Sequence, residues 1–287
     1  MMKIRRTRKG KVRRELKRRP INVLASAITA FGLYWGLVSI FLSARERYDL
    51  AAFAILGAIV CDALDGTVAR LTKSTSEFGK EFDSLCDLVA FGVAPAVLIY
   101  FAYLREEQMA GTLVGKTGSF MAIVFVLCGA LRLARFNVYQ SGFRDSFTGL
   151  PIPAAGGTIA SLVLFTEYWN LRVAFWVLGP FTLLLAALMV SPIRYPKDRM
   201  KKGLVFEPRN AFRALVFVVL AIAAVNYMLL HSPAMVLLPL CLTYIGFGIV
   251  DDAVTRWRAR RGVSAPTAEG QPSVVPFTPS ENKEEAL

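Results

Sequence analysis

Residues 49–103 read DLAAFAILGAIVCDALDGTVARLTKSTSEFGKEFDSLCDLVAFGVAPAVLIYFAY. Two apolar runs, 49–69 and 84–103, flank a short polar loop. A bilayer core of about 30 Å takes roughly 20 residues of helix to cross, and each run has that length or nearly so. Neither alternates with period two, so each reads as a helix whose backbone bonds stay internal. Acid sets the pair apart. Asp62 and Asp65 sit near the end of the first run, and Asp83 and Asp87 sit around the start of the second.

Outward from this stretch the pattern repeats. Six more apolar spans are expected at about 22–43, 117–138, 153–169, 173–191, 211–230 and 233–250. The fold class is therefore an all-α membrane protein of about eight transmembrane helices. Composition agrees: of 287 residues, 55% are hydrophobic and 19% charged, with a mean hydropathy of +0.47. A soluble domain of this length needs more charge to cover itself, and disorder needs far less apolar content.

The net charge of +13 is gathered in patches. Of the 34 Lys and Arg, 29 fall in residues 1–19, 70–83, 132–148, 194–213 and the tail from Asp251. The intervening connections hold Arg45, Arg47, Arg105, Lys116 and Arg172 only. By the positive-inside rule the richer set is cytoplasmic, which places both termini inside, as an even number of spans requires. The expected location is the inner membrane of a bacterium. Residues 1–20 form a basic cytoplasmic arm followed by a full-length span with no small-residue cleavage pattern, so the first helix is expected to remain uncleaved. The arm has no interleaved aromatic residue on which bases could stack, and it reads as a lipid-headgroup anchor, not a nucleic-acid site. Residues 262–287, rich in Pro, Ser, Thr and Glu, read as a disordered cytoplasmic tail. Cys61, Cys86, Cys128 and Cys241 all fall inside spans without a Cys-x-x-Cys, and read as packing residues. His231 reads as a solvated loop residue.

The acids carry the chemistry. Asp62 and Asp65 are i, i+3 and share one helix face; Asp83 and Asp87 are i, i+4 and share another. The loop between them reverses the chain and brings the two faces together. An aspartate costs about 2.5–3.5 kcal/mol at the centre of a membrane helix, so four around one loop need a reason. Pairing with Arg70 or Lys80 would take one cation per acid and leaves the regular spacing unexplained. A divalent cation, or a pair of them, relieves the repulsion better. An all-oxygen donor set without His or Cys favours Mg²⁺ or Mn²⁺ over zinc. Paired hard ions serve phosphoryl transfer. Gly66, Ala69 and Gly79 would let a nucleotide approach the backbone, and Arg70 and Lys73 are placed to meet phosphates.

The pattern Asp62-x2-Asp65-Gly66-x2-Ala69-Arg70-x8-Gly79-x3-Asp83-x3-Asp87 resembles, at every fixed position, the signature of the CDP-alcohol phosphatidyltransferases. The resemblance implies a six-helix core, here 21–200, with two additional helices within 201–261. It implies that Asp62, Asp65, Asp83 and Asp87 hold two divalent ions, and that Asp87 also takes the acceptor proton. Gly66, Arg70 and Ser76 carry over as contacts to the CDP group, with Ala69 and Gly79 beside them. Relatives often begin the first helix with Pro-Asn-x-x-Thr; Ile21-Asn22-Val23-Leu24-Ala25 keeps only Asn22, which alone carries over there. Further stretches are similar to the phosphatidylserine synthase branch: Ser84–Asp87 running into Phe91–Ala96, Leu131–Asn137, Phe147–Ala155 and Val190–Pro196. The activity implied is transfer of a phosphatidyl group from CDP-diacylglycerol to the hydroxyl of L-serine, giving phosphatidylserine and CMP. A homodimer is expected from the resemblance alone.

A serine acceptor needs a counter-ion for its carboxylate. Arg132 and Arg135 end the fourth span on the same side as the aspartates, with Asn137 as a polar neighbour, and a guanidinium binds a carboxylate bidentately. Helix-end arginines obeying the positive-inside rule are the alternative. Two readings compete with the whole. One keeps the chemistry and changes the acceptor to choline, inositol phosphate or glycerol phosphate. The other is a secondary transporter, which would place acids at the midplane of broken, paired half-helices. The acids here lie at one membrane face.

Overall fold

The computed structural model describes residues 23–71, 77–105, 114–139, 147–195 and 233–260. Within them α1 (Val23–Ala44) and α2 (Tyr48–Leu71) form a hairpin. The third span is one continuous helical rod: α3 (Glu77–Asp87), a π-helical segment (Leu88–Val93), α4 (Ala94–Ile99) and a second π-helical segment (Tyr100–Leu104). Then come α5 (Val114–Tyr139), α6 (Ile152–Tyr168), α7 (Phe175–Val190) and α8 (Ala234–Arg260). A two-residue antiparallel pairing of β1 (Phe147–Thr148) with β2 (Arg194–Tyr195) is the strand content of these residues. Five of the helices are long and apolar enough to cross a membrane: Ser26–Ala44, Tyr48–Val68, Phe78–Leu104, Thr117–Val138 and Ala234–Trp257. The expected span at 211–230, the basic arm, the tail and His231 lie outside the described residues, so the expected total of eight is not tested by them.

Two boundaries differ from expectation. The third span begins at Glu77, not near residue 84. Its first turns are amphipathic, with Phe78 and Phe82 stacked at 5.9 Å. The last helix continues to Arg260, ten residues past the apolar run, with an Asp252–Arg256 ion pair of 2.7 Å at i, i+4.

Small residues set the packing, as they must where lipid removes any hydrophobic advantage of helix association. A Cβ on Gly36 of α1 would lie 2.7 Å from the Ala90 Cα, so α1 rests directly on the first π-helical segment. Pro95 has no N–H to return to the Phe91 carbonyl, and the ladder there widens, with the Ala94 N–H bonded to Val89 O. Gly156 of α6 fits against this same Phe91 carbonyl, where a Cβ would come within 2.8 Å. The Ala154–Gly157 stretch thus packs helices, as small residues do, and most of α6 is buried.

Opposite ends of the molecule are built differently. The α1–α2 and α6–α7 turns close with left-handed residues, Glu46 (φ 61°) and Asn170 (φ 50°). Each is followed by a wide helix-terminating bond, Arg47 N to Leu42 O and Leu171 N to Thr166 O. At the acid-bearing end the carboxyl terminus of α7 is held from several sides. Gly149 (φ +87°) donates to Ile193 O, Leu150 to Leu188 O, Arg135 to Val190 O, and Arg256 to Pro192 O.

Candidate active site

Helix α2 brings Asp62 and Asp65 to one end of the bundle, and α3 brings Asp83 and Asp87 to meet them. Carboxylate oxygens of Asp62, Asp83 and Asp87 all lie within 4.8 Å of one another. Among the described residues no ion pair with Lys or Arg engages them. Three like charges so close repel strongly in a low-dielectric setting, and the cluster is a donor set of hard oxygens. It fits Mg²⁺ or Mn²⁺.

Asp65 plays a different part in this geometry. It is 6% exposed, and its Oδ2 accepts a 2.8 Å hydrogen bond from the Thr29 hydroxyl of α1. It still lines the same cleft as Asp62, Asp83 and Asp87, together with Thr29 and Gly32. Thr29 is the residue that sequence reasoning missed. It lies four positions after Ala25, where relatives often carry Thr, and therefore on the same face one turn deeper. That face periodicity was the available signal.

The remaining candidates fall as follows. Gly66 is exposed, and a Cβ there would meet nothing within 4 Å, so the approach to the α2 backbone beside Asp65 is open. Gly79 lies in the first turns of α3, one turn before Asp83. Ala69 and Arg70 lie in the last turn of α2. Asn22 and Ser76 lie outside the described residues. Arg132 is 8% exposed, sits over the Phe136 ring at 5.8 Å and interacts electrostatically with Asp87. Arg135 is turned away to cap α7, with Nη1 donating to Val190 O at 3.0 Å and Nη2 to Ser191 O at 3.4 Å. The Asn137 amide donates to Ser84 Oγ at 3.1 Å and Glu81 Oε2 at 3.3 Å, which ties α5 to the acid-bearing α3. Of these three, Arg132 interacts with Asp87, while the hydrogen bonds given above for Arg135 and Asn137 join the helices around the cluster.

Residues 22–193 match the family model described as CDP-alcohol phosphatidyltransferase. The chain is 39% identical over 187 residues to a CDP-diacylglycerol–serine O-phosphatidyltransferase of Helicobacter pylori, covering 64% of this chain and 76% of that protein. A protein of the same name from Methanocaldococcus jannaschii is 34% identical over 232 residues, which are 81% of this chain and 95% of that one. An archaetidylserine synthase of Methanothermobacter thermautotrophicus is 43% identical over 164 residues, 56% of this chain and 64% of that one. An acid cluster at one end of an apolar helical bundle, the spacing that builds it and these matches lead to one conclusion: the chain is an integral membrane enzyme of the CDP-alcohol phosphatidyltransferase family.

Proposed function

We propose that this enzyme transfers the phosphatidyl group of CDP-diacylglycerol to the hydroxyl of L-serine, releasing CMP. The observation that carries the proposal is the convergence of Asp62, Asp83 and Asp87 beside the buried Arg132. The names of the relatives support the acceptor: the lipid part differs between a phosphatidyl and an archaetidyl product, and serine is common to them.

The residues divide the work. Asp62, Asp65, Asp83 and Asp87 would hold the divalent pair, Mg²⁺ or Mn²⁺, which when bound neutralises phosphate oxygens and the charge that develops on CMP. Thr29 fixes Asp65 against α1, so that carboxylate is oriented before any ligand arrives. The open backbone at Gly66 admits the CDP group, and Ala69, Arg70, Gly79, Asn22 and Ser76 are the further contacts that the family signature implies. Asp87 takes the proton of the serine hydroxyl. That oxygen bonds to the phosphorus bearing diacylglycerol, the anhydride P–O bond breaks, and CMP leaves with the electron pair. Arg132 receives the serine carboxylate; Arg135 and Asn137 keep α5 in register with α7 and α3. The acids face the cytoplasm at the inner membrane of a bacterium, with both termini on that side, and the enzyme works as a homodimer.

The deciding experiment uses purified protein in detergent with CDP-diacylglycerol, Mn²⁺ or Mg²⁺, and labelled serine. Label entering lipid together with stoichiometric CMP is the expected result. Label entering lipid from choline, inositol phosphate or glycerol phosphate, and not from serine, refutes the acceptor.

A further inference from the structure

The third span is longer than a bilayer asks of a helix. Phe78–Leu104 forms 27 residues of apolar rod, about 40 Å, against a hydrocarbon core of about 30 Å. The excess lies at the acid-bearing end. At the other end the span stops level with its neighbours: the Tyr48 hydroxyl of α2 donates to Phe101 O, and the hydroxyls of Tyr103 and Thr166 share a hydrogen bond. Directly beyond Thr166, Tyr168 and Trp169 are exposed, the placing that aromatic side chains take at a membrane surface. Counted back from Tyr103, roughly 30 Å of helix ends in the turn that holds Phe82 and Asp83.

That turn is not built for water. Phe78, Phe82 and Leu85 stand at i, i+4 and i+7, in one stripe of the helix that runs on into Val89 and so joins the apolar rod. Phe78 is 59% and Leu85 64% exposed, and the Phe78 and Phe82 rings stack at 5.9 Å. Asp83 and Asp87 lie roughly 130–170° around the axis from the stripe, and Lys80 is exposed on their side. A headgroup layer is about 5–7 Å deep, and Phe78 and Phe82 are about 6 Å apart along the axis, so the stacked pair spans such a layer. We propose that Phe78, Phe82 and Leu85 seat the start of the third span in the headgroup layer of the acid-side leaflet, which puts Asp83 and Asp87 at the depth of a lipid's own phosphate. A lipid diphosphate then meets the carboxylates by sliding within its leaflet, without lifting its chains out of the bilayer. The seating follows from the rod itself; its use in catalysis rests on the CDP-diacylglycerol reading above.

Depth is measured on protein that need not turn over. F78C, L85C and K80C are made singly in a variant lacking the four native cysteines, spin-labelled and reconstituted in phosphatidylethanolamine–phosphatidylglycerol vesicles. Labels at 78 and 85 are expected to relax with oxygen, which concentrates in lipid, and to be several-fold less accessible than the label at 80 to a water-soluble nickel chelate. Equal nickel access at 78 and 80 overturns the inference. Shielding of 78 from both oxygen and nickel also overturns it, since a second copy of the chain then covers the stripe. Activity is measured with the native cysteines in place. F78S/F82S is expected to raise the KM for CDP-diacylglycerol in vesicles about tenfold, less than full burial of two rings would give. The KM for serine and the turnover of a water-soluble dihexanoyl CDP-diacylglycerol stay at wild-type values. An unchanged KM for the vesicle lipid overturns the inference, as does an equal loss with both lipids, which marks a merely structural role. Wild-type enzyme that releases no CMP from either lipid overturns the CDP-diacylglycerol reading, while the depth comparison still decides the seating.

Discussion

In the proposed mechanism Asp87 does the chemistry, whereas Thr29 holds a neighbouring carboxylate still. Replacing Asp87 with Asn keeps its shape and removes its basicity. Serine-dependent CMP release is expected to fall by about 10²–10⁴-fold, the range for loss of a general base, with the protein still folded by size-exclusion chromatography. Replacing Thr29 with Val removes the hydroxyl that donates to the Asp65 carboxylate while preserving volume. The Mn²⁺ concentration needed for half-maximal activity is expected to rise about 10–100-fold, with kcat at saturating metal little changed. Chelation with EDTA should abolish turnover, and added Mn²⁺ or Mg²⁺ should restore it. The aspartates were readable because i, i+3 and i, i+4 spacing puts charge on one helix face wherever the helix is used. Thr29 was harder to see, because the family's Thr stands one turn earlier, at the position of Ala25, and only the i, i+4 relation puts Thr29 on that same face. Arg135 shows the same limit: a guanidinium at a helix end serves a ligand or a neighbouring carbonyl equally well by sequence, and here it serves Val190 and Ser191.

At the scale of elements, the contact of α6 with the third span decides whether the acids are held. Gly156 meets backbone, the Phe91 carbonyl, and backbone cannot step aside as the end of a flexible side chain would. Gly156→Ala is therefore expected to cost about 1–3 kcal/mol, seen as a lowered thermal midpoint in detergent, and Gly156→Leu to prevent recovery of folded protein. Hydropathy located most of the spans, since length and apolar content are all that a bilayer asks of a helix. It placed the start of the third span late because Glu77, Lys80 and Glu81 lower the average in an interfacial turn. The π-helical segments were hidden for a different reason. A helix apolar on every side has no contrast between faces, so a shift of its phase leaves no mark in the pattern.

For the whole molecule the prediction concerns sidedness. The turns at Glu46 and Asn170 lie at one end, and the acids, the α7 carboxyl terminus and Arg256 lie at the other. In a variant lacking Cys61, Cys86, Cys128 and Cys241, cysteine introduced at Glu46 or Asn170 should react with a membrane-impermeant maleimide on intact cells. Cysteine at Val254, exposed near the opposite end, should react only after the cells are opened. The reverse pattern would turn the active site away from the compartment that holds soluble CMP and serine. The charge asymmetry predicts this orientation without any coordinates, whereas the packing of α8 against α6 joins residues far apart in the chain and leaves no trace in local spacing.

The widened turns just after Asp87 have a consequence for how this rod can vary. Restoring ordinary winding across Leu88–Val93 without removing a residue would swing the lower part of the rod by about 100° relative to the upper. Asp83 and Asp87 would then point away from Asp62, while Pro95 and the groove that receives Gly156 stayed where they are. The carboxylate end and the buried end are geared to each other by a single extra residue. Any change in the count between Asp87 and Pro95 therefore has to be matched by a change in winding there if the aspartates are to go on facing Asp62.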